Sequence, residues 1–274
     1  MNTKFHLLPT LALVGLNLAT ALWGICFPDV YHDPIVSVDG WNRATLFAVD
    51  LVSLAAFSGM ATHHMVRNRG QVWSALWLGL WFFSTYAHSF QVFTTGLNAK
   101  FPLHLAGFVI GAWGSVSAVW ELVPSARQIG KGKSKAIAIW MILVALCLVG
   151  AWSAAWIEQL SSGFANARQN DLVRSIAALD FLMALPAFVW VGVGLWRGGL
   201  RDSPLPIALN LAFGIYMAAL AVSCLTQHAA GIPVALRELP LWTILALGSL
   251  ACVLLAFPGK EPVTEFVNRP SLPS

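Results

Sequence analysis

Apolar positions run along this chain in long unbroken stretches separated by short polar connectors. Eight stretches stand out, at roughly 7–27, 44–65, 72–96, 101–120, 136–157, 172–196, 205–227 and 239–257. Each approaches the ~20 residues that a helix needs to cross ~30 Å of hydrocarbon. The runs are continuous and not alternating, which predicts helices and argues against membrane strands. The expected fold is all-α: a polytopic integral membrane bundle of eight transmembrane helices. It forms one transmembrane domain over 1–257, with a flexible cytoplasmic tail over 258–274 that carries Pro258, Pro262, Pro270 and Pro273. The first stretch follows Lys4 in the manner of a signal peptide. No small-x-small cleavage site follows it, and Trp23 and Phe27 stand where one would be, so a retained first helix is expected.

Composition agrees with this pattern. Hydrophobic residues make up 58% and charged residues 10% of 274 positions, far from the ~25% charge of a soluble domain. A soluble globular domain, a disordered chain and a collagen-like chain are excluded. The net charge of +4 sits in connectors, so it reads as topogenic charge and not as a nucleic-acid surface. With the N-terminus inside, the cytoplasmic pieces hold Lys4, Arg67, Arg69, Arg127, Lys131, Lys133, Lys135, Arg197, Arg201, Lys260 and Arg269. The outer pieces then hold Arg43, Lys100, Arg168, Arg174 and Arg237. Eleven against five predicts both termini in the cytoplasm of a plasma (inner) membrane protein.

A shift of 130 residues overlays the two halves, 7–120 on 136–257. Asp50 falls on Asp180, Arg67 on Arg197, Tyr86 on Tyr216 and Phe83 on Phe213. A 4+4 duplication with both halves in the same orientation is expected, related by an axis near the membrane normal.

Polar side chains at depth carry the chemical reading, because a charge in hydrocarbon costs several kcal/mol and is kept for pairing or function. Asp50 and Asp180 lie ~9 and ~12 Å below the outer surface, His88 at a similar depth and His104 ~5 Å down. His228 and Glu158 sit near outer helix ends, and His32 and Asp33 fall in the first outer loop. Imidazole and carboxylate together suit a divalent metal such as Zn or Fe, or a proton relay. Asp50, Asp180, His88 and Tyr86 are the candidate catalytic set, and His88, His104, Asp50, Asp180 and His228 the candidate metal ligands. Trp81, His88 and His104 are the candidate cofactor-binding residues, because the aromatic segment of Trp77, Trp81, Phe82 and Phe83 suits a flat ligand such as a quinone, a haem or a carotenoid. Haem ranks below metal or proton handling, because His88 and His104 are offset by ~5 Å in depth. Packing is the plain alternative for each of these side chains taken singly.

The adjacent pair His63–His64 diverges by about 100° around its helix and reads as headgroup-facing. Gly107, Gly111 and Gly114 form a small-residue face suited to close helix contact. Cys26, Cys147, Cys224 and Cys252 share no metal or redox spacing. They read as buried small hydrophobes, with a Cys26–Cys224 bridge as the alternative. No HExxH, Walker A or GxSxG motif is present, and the last two apolar stretches contain no Lys for a retinal Schiff base. Three functions are therefore expected in order. The first is a membrane enzyme or redox protein with an outer-leaflet His/Asp pocket acting on a small or lipid-soluble substrate. The second is a secondary transporter or ion-coupled permease. The third is a structural subunit of a membrane complex, whose partners are lipids and other membrane subunits.

Overall fold

The computed structural model describes residues 7–27, 40–66, 71–94, 99–120, 129–161 and 174–257. The expectations for His32, Asp33, Arg168 and the tail lie outside these residues, as do the side chains of His63 and His64. The described chain is helical. Its long helices are α1 (Leu7–Cys26), α2 (Gly40–Val66), α3 (Gln71–Thr94), α4 (Phe101–Trp120) and α5 (Lys131–Ser161). They continue with α6 (Arg174–Trp196), α7 (Leu205–Ala229) and α8 (Leu239–Ala256). A 3₁₀ turn, Pro233–Arg237, leads into α8.

Six of these helices, α2, α4, α5, α6, α7 and α8, are long and apolar enough to cross a bilayer. Their outer faces are apolar, with Trp113, Leu182 and Leu254 exposed, as lipid contact requires and water would not favour. The chain is an all-α, multi-pass membrane protein. The two other apolar helices fall short for different reasons. The described apolar stretch of α1, Thr10–Cys26, is shorter. The 24 residues of α3 would span, but Ser84, Thr85, His88, Ser89 and Gln91 dilute its apolar character. All five are buried, because α3 packs between α4 and α7. A helix enclosed by protein can carry polar side chains that a lipid-facing one cannot.

Packing follows two parallel sets of contacts. In the first four helices α1 packs on α2, α3 on α4, and α1 touches α4. In the last four α5 packs on α6, α7 on α8, and α5 touches α8. The sets join where α3 and α2 both pack on α7. One apolar core, around Ile137, Met141, Phe188, Val191 and Ala208, binds the second set together. Another, around Val14, Val49, Phe57, Phe83 and Ala219, joins the first set to α7.

The glycine face of α4 forms as expected and has identifiable occupants. A Cβ on Gly107 would meet the His88 ring, one on Gly111 would meet Thr85 Oγ1, and one on Gly114 would overlap Trp81. Trp81, Thr85 and His88 form one stripe of α3 at helical spacing. They interlock with Gly114, Gly111 and Gly107 in antiparallel order.

Helix α6 is interrupted by a π turn, Asp180–Ala184, closed by the Leu185 N–H on the Asp180 carbonyl. Pro186 follows it. Proline has no N–H to give an upstream carbonyl, which weakens the regular ladder where the turn widens. A π turn inserts one extra residue and re-aims the side chains on either side of it. One expectation is corrected here. All four cysteines are free, so Cys26 and Cys224 form no bridge. Cys224 and Cys252 are buried as expected, whereas Cys26 and Cys147 are exposed.

Candidate functional site

The polar side chains gather in two places, on different faces of α3. Tyr86 and His88 are two positions apart and therefore point about 200° apart around the helix. This angle divides the expected single pocket.

The first cluster lies between α2, α3 and α4. Lys100, in the turn before α4, places Nζ 2.8 Å from Asp50 Oδ2. The Lys100 carbonyl accepts from the backbone N–H of Leu103 and His104, which fixes its backbone at the start of α4. Burial pushes the Lys100 pKa below its ordinary value, and the Asp50 carboxylate pulls it back up. His88 and His104 are 3% and 4% exposed, and their Nδ1 atoms lie 3.0 Å apart. One ring N–H therefore donates to the other ring nitrogen. The His88 ring packs against Gly107, one turn along α4 from His104. Each imidazole keeps a buried Nε2 with no hydrogen-bond partner among the described residues.

The second cluster faces a cavity of about 830 Å³ enclosed by α3 to α8, with Thr45 of α2 at its edge. Its volume falls within the roughly 300–1,000 Å³ of small-molecule sites. The walls are mostly apolar: Phe82, Phe90, Val144, Phe188, Phe213 and Leu245 are representative. Val116 on α4 and Cys147 and Ala151 on α5 line the cavity and are exposed. Helices α4 and α5 flank this side of the cavity without extensive packing against each other.

Asp180 lines this cavity through the π turn that aims it. Tyr86 Oη donates to Asp180 Oδ1 over 2.5 Å, and Trp152 Nε1 donates to Oδ2 over 2.9 Å. The Tyr216 ring meets the Tyr86 ring edge-on, with centroids 4.8 Å apart. At another part of the wall Gln227 Nε2 donates to Thr45 Oγ1 (3.0 Å) and to Ser223 Oγ (2.8 Å), tying α7 to α2. Glu238, at the start of α8, completes the polar lining and accepts from Trp242 Nε1.

The structure therefore brings together Tyr86 with Asp180, and His88 with His104. It does not bring Asp50 to Asp180, since Asp50 pairs with Lys100 and is not in the cavity wall. Trp81 packs into the α3–α4 contact, away from the cavity. His228 is exposed at the end of α7 and Glu158 is exposed near the end of α5. Asn17 bonds Ser84 across α1 and α3 and extends no path to either acid. Among the described residues no three His, Cys, Asp or Glu side chains converge as a metal site needs.

Sequence reasoning missed Lys100, Trp152 and Tyr216 as site residues. Lys100 was read as connector charge. Its signal was position: it lies one turn before His104, at the end where Asp50 is also shallow. Comparison with protein-family models, curated proteins and solved structures finds no match.

Proposed function

We propose that the protein takes a small lipid-soluble molecule from the bilayer into the α3–α8 cavity and acts on it at Tyr86 and Asp180. One observation carries this reading. A cavity of about 830 Å³ with mostly apolar walls has a carboxylate in its lining, held by a phenol and an indole N–H. Apolar walls take up the body of a lipophilic ligand, and a few placed polar groups fix its orientation. A phenol bonded to a carboxylate can also hold a proton or pass it to a ligand group. The exposed lining residues Val116, Cys147 and Ala151, on two helices that pack little on each other, support entry from lipid.

In this reading all eight helices span the membrane, α1 and α3 included, and both termini face the cytoplasm, as the eleven-to-five distribution of basic residues favours. The halves 7–120 and 136–257 are a duplicated pair. The contact of Tyr86 with Tyr216 supports this, because equivalent residues near a twofold axis meet each other. The packing pairs Phe57–Phe83 and Phe188–Phe213 support it as well. Asp50 to Asp180 is a step of 130 and Phe57 to Phe188 a step of 131, and the π turn between Asp180 and Ala184 accounts for the extra residue.

The test is binding of a neutral fluorescent lipophile to the purified protein in nanodiscs. Ala187→Trp, on the cavity wall, is expected to abolish saturable binding while thermal unfolding remains cooperative. Equal binding by wild type and by folded Ala187→Trp would sink the reading.

A further inference from the structure

Resting on that reading of the cavity, we infer that its ligand carries a positive charge: a lipophilic amine or quaternary ammonium whose cationic centre pairs with Asp180. Among the described residues two acidic side chains, Asp180 and Glu238, line the cavity, and no Lys, Arg or His does. The described wall is charged in one sense.

Asp180 is 8% exposed, and both its oxygens act as acceptors. Trp152 can only donate, and Tyr86 donates to the other oxygen, so both donors are satisfied by the ionised carboxylate. Both are also neutral. No basic side chain pairs with Asp180 among the described residues. The other deeply placed acid, Asp50, marks the difference. It is closed by a cation from its own chain, Lys100, at 2.8 Å. A buried carboxylate without a counter-charge is strongly disfavoured unless it is paired or neutralised. A cationic ligand supplies from outside the charge that Lys100 supplies to Asp50 from within. A carboxylate has about four acceptor positions, so two remain beyond the Tyr86 and Trp152 bonds.

The surroundings suit the same ligand. Tyr86, Trp152, Tyr216, Phe82, Phe90 and Phe213 all line the cavity. Aromatic faces attract ammonium groups through the ring quadrupole, most strongly where water is excluded. A carboxylate in a cavity lined mostly by aromatic and aliphatic side chains selects a cation with apolar substituents over a hydrated inorganic cation, which gives up its water shell at a high cost.

The experiment compares two ions of nearly the same shape and opposite charge, tetraphenylphosphonium and tetraphenylborate, by equilibrium binding to the protein in detergent. Wild type is expected to bind the cation at least about tenfold more tightly than the anion. Asp180→Asn is expected to lower cation affinity by at least about tenfold. Equal affinity for both ions in wild type overturns the inference, whether or not the variant folds. So does an unchanged cation affinity in folded Asp180→Asn. In either case, continued binding of the neutral lipophile, blocked by Ala187→Trp, leaves the cavity reading standing. Loss of specific binding for all three probes overturns both.

Discussion

Lys100 Nζ lies 2.8 Å from Asp50 Oδ2, and the lysine side chain is fully enclosed. A charge pair of this kind contributes little when compared with apolar residues of the same size. Removing one partner strands the other in a low-dielectric setting. Asp50→Asn and Lys100→Met are each expected to destabilise the protein by about 3–5 kcal/mol. The double variant Asp50→Asn/Lys100→Met is expected to be less destabilised than the sum of the two. Reversible unfolding in mixed micelles measures all three. Simple additivity would mean that the two charges do not depend on each other.

The face of α4 that receives α3 gives a prediction with an internal control. Gly114→Ala places a methyl group inside the Trp81 ring position, and Gly107→Ala does the same to His88. Each is expected to cost about 1–3 kcal/mol, the usual penalty for overpacking. Gly15 and Gly59 have no atom near the position of an added Cβ. Replacing either by Ala is expected to stabilise its helix by roughly 0.5–1 kcal/mol through backbone entropy. Opposite signs for the two pairs, read in the same unfolding assay, check the packing of α3 on α4.

The helices and their order were legible in the sequence because each lipid-facing segment must satisfy its own backbone and present apolar side chains throughout. The Gly107–Gly111–Gly114 face was legible for a similar reason, since small residues at helical spacing mark close approach. The division of the polar residues was not. Depth counted along a helix gives position along the membrane normal and says nothing of azimuth. Tyr86 and His88 were grouped by depth, yet they serve opposite faces. Asp50 and Asp180 match in depth and in the 130-residue overlay. Their different partners arise from Lys100, which folds back from a connector, and from a π turn that no periodicity reveals. Trp152 carries no signal in the sequence that sets it apart from the other tryptophans, and only the fold brings its N–H to Asp180.

Two indole N–H groups allow a comparison of acceptors. Trp152 Nε1 donates to the Asp180 carboxylate, and Trp140 Nε1 donates to the Ser249 hydroxyl over 3.0 Å. Hydrogen bonds to charged groups are worth about 1.5–3 kcal/mol, against about 0.5–1.5 for neutral ones. Trp152→Phe is therefore expected to destabilise more than Trp140→Phe, and Asp180→Asn is expected to shrink the difference. Equal losses in both backgrounds would mean that the Asp180 carboxylate gains nothing from the indole.

The free cysteines offer a test of both surface and orientation. Cys26 ends α1, and Cys147 lies midway along α5; both are exposed. Exposure means different things at these two positions, because the surface beside the middle of α5 faces acyl chains and the end of α1 lies near the interface. Thiol labelling requires the thiolate and therefore water. A charged, membrane-impermeant maleimide is expected to label Cys26 in intact cells, to leave Cys147 unlabelled until detergent or denaturant is added, and to reach Cys224 and Cys252 only on unfolding. Labelling of Cys26 from outside follows from a cytoplasmic N-terminus, since α1 then ends at the outer face. If Cys26 reacts only in inverted vesicles, the orientation is reversed, and the Asp180 end of the cavity lies toward the cytoplasmic leaflet. If Cys147 reacts as fast as Cys26 in intact cells, the α4–α5 side of the cavity is filled with water, and ligand entry from lipid loses its support.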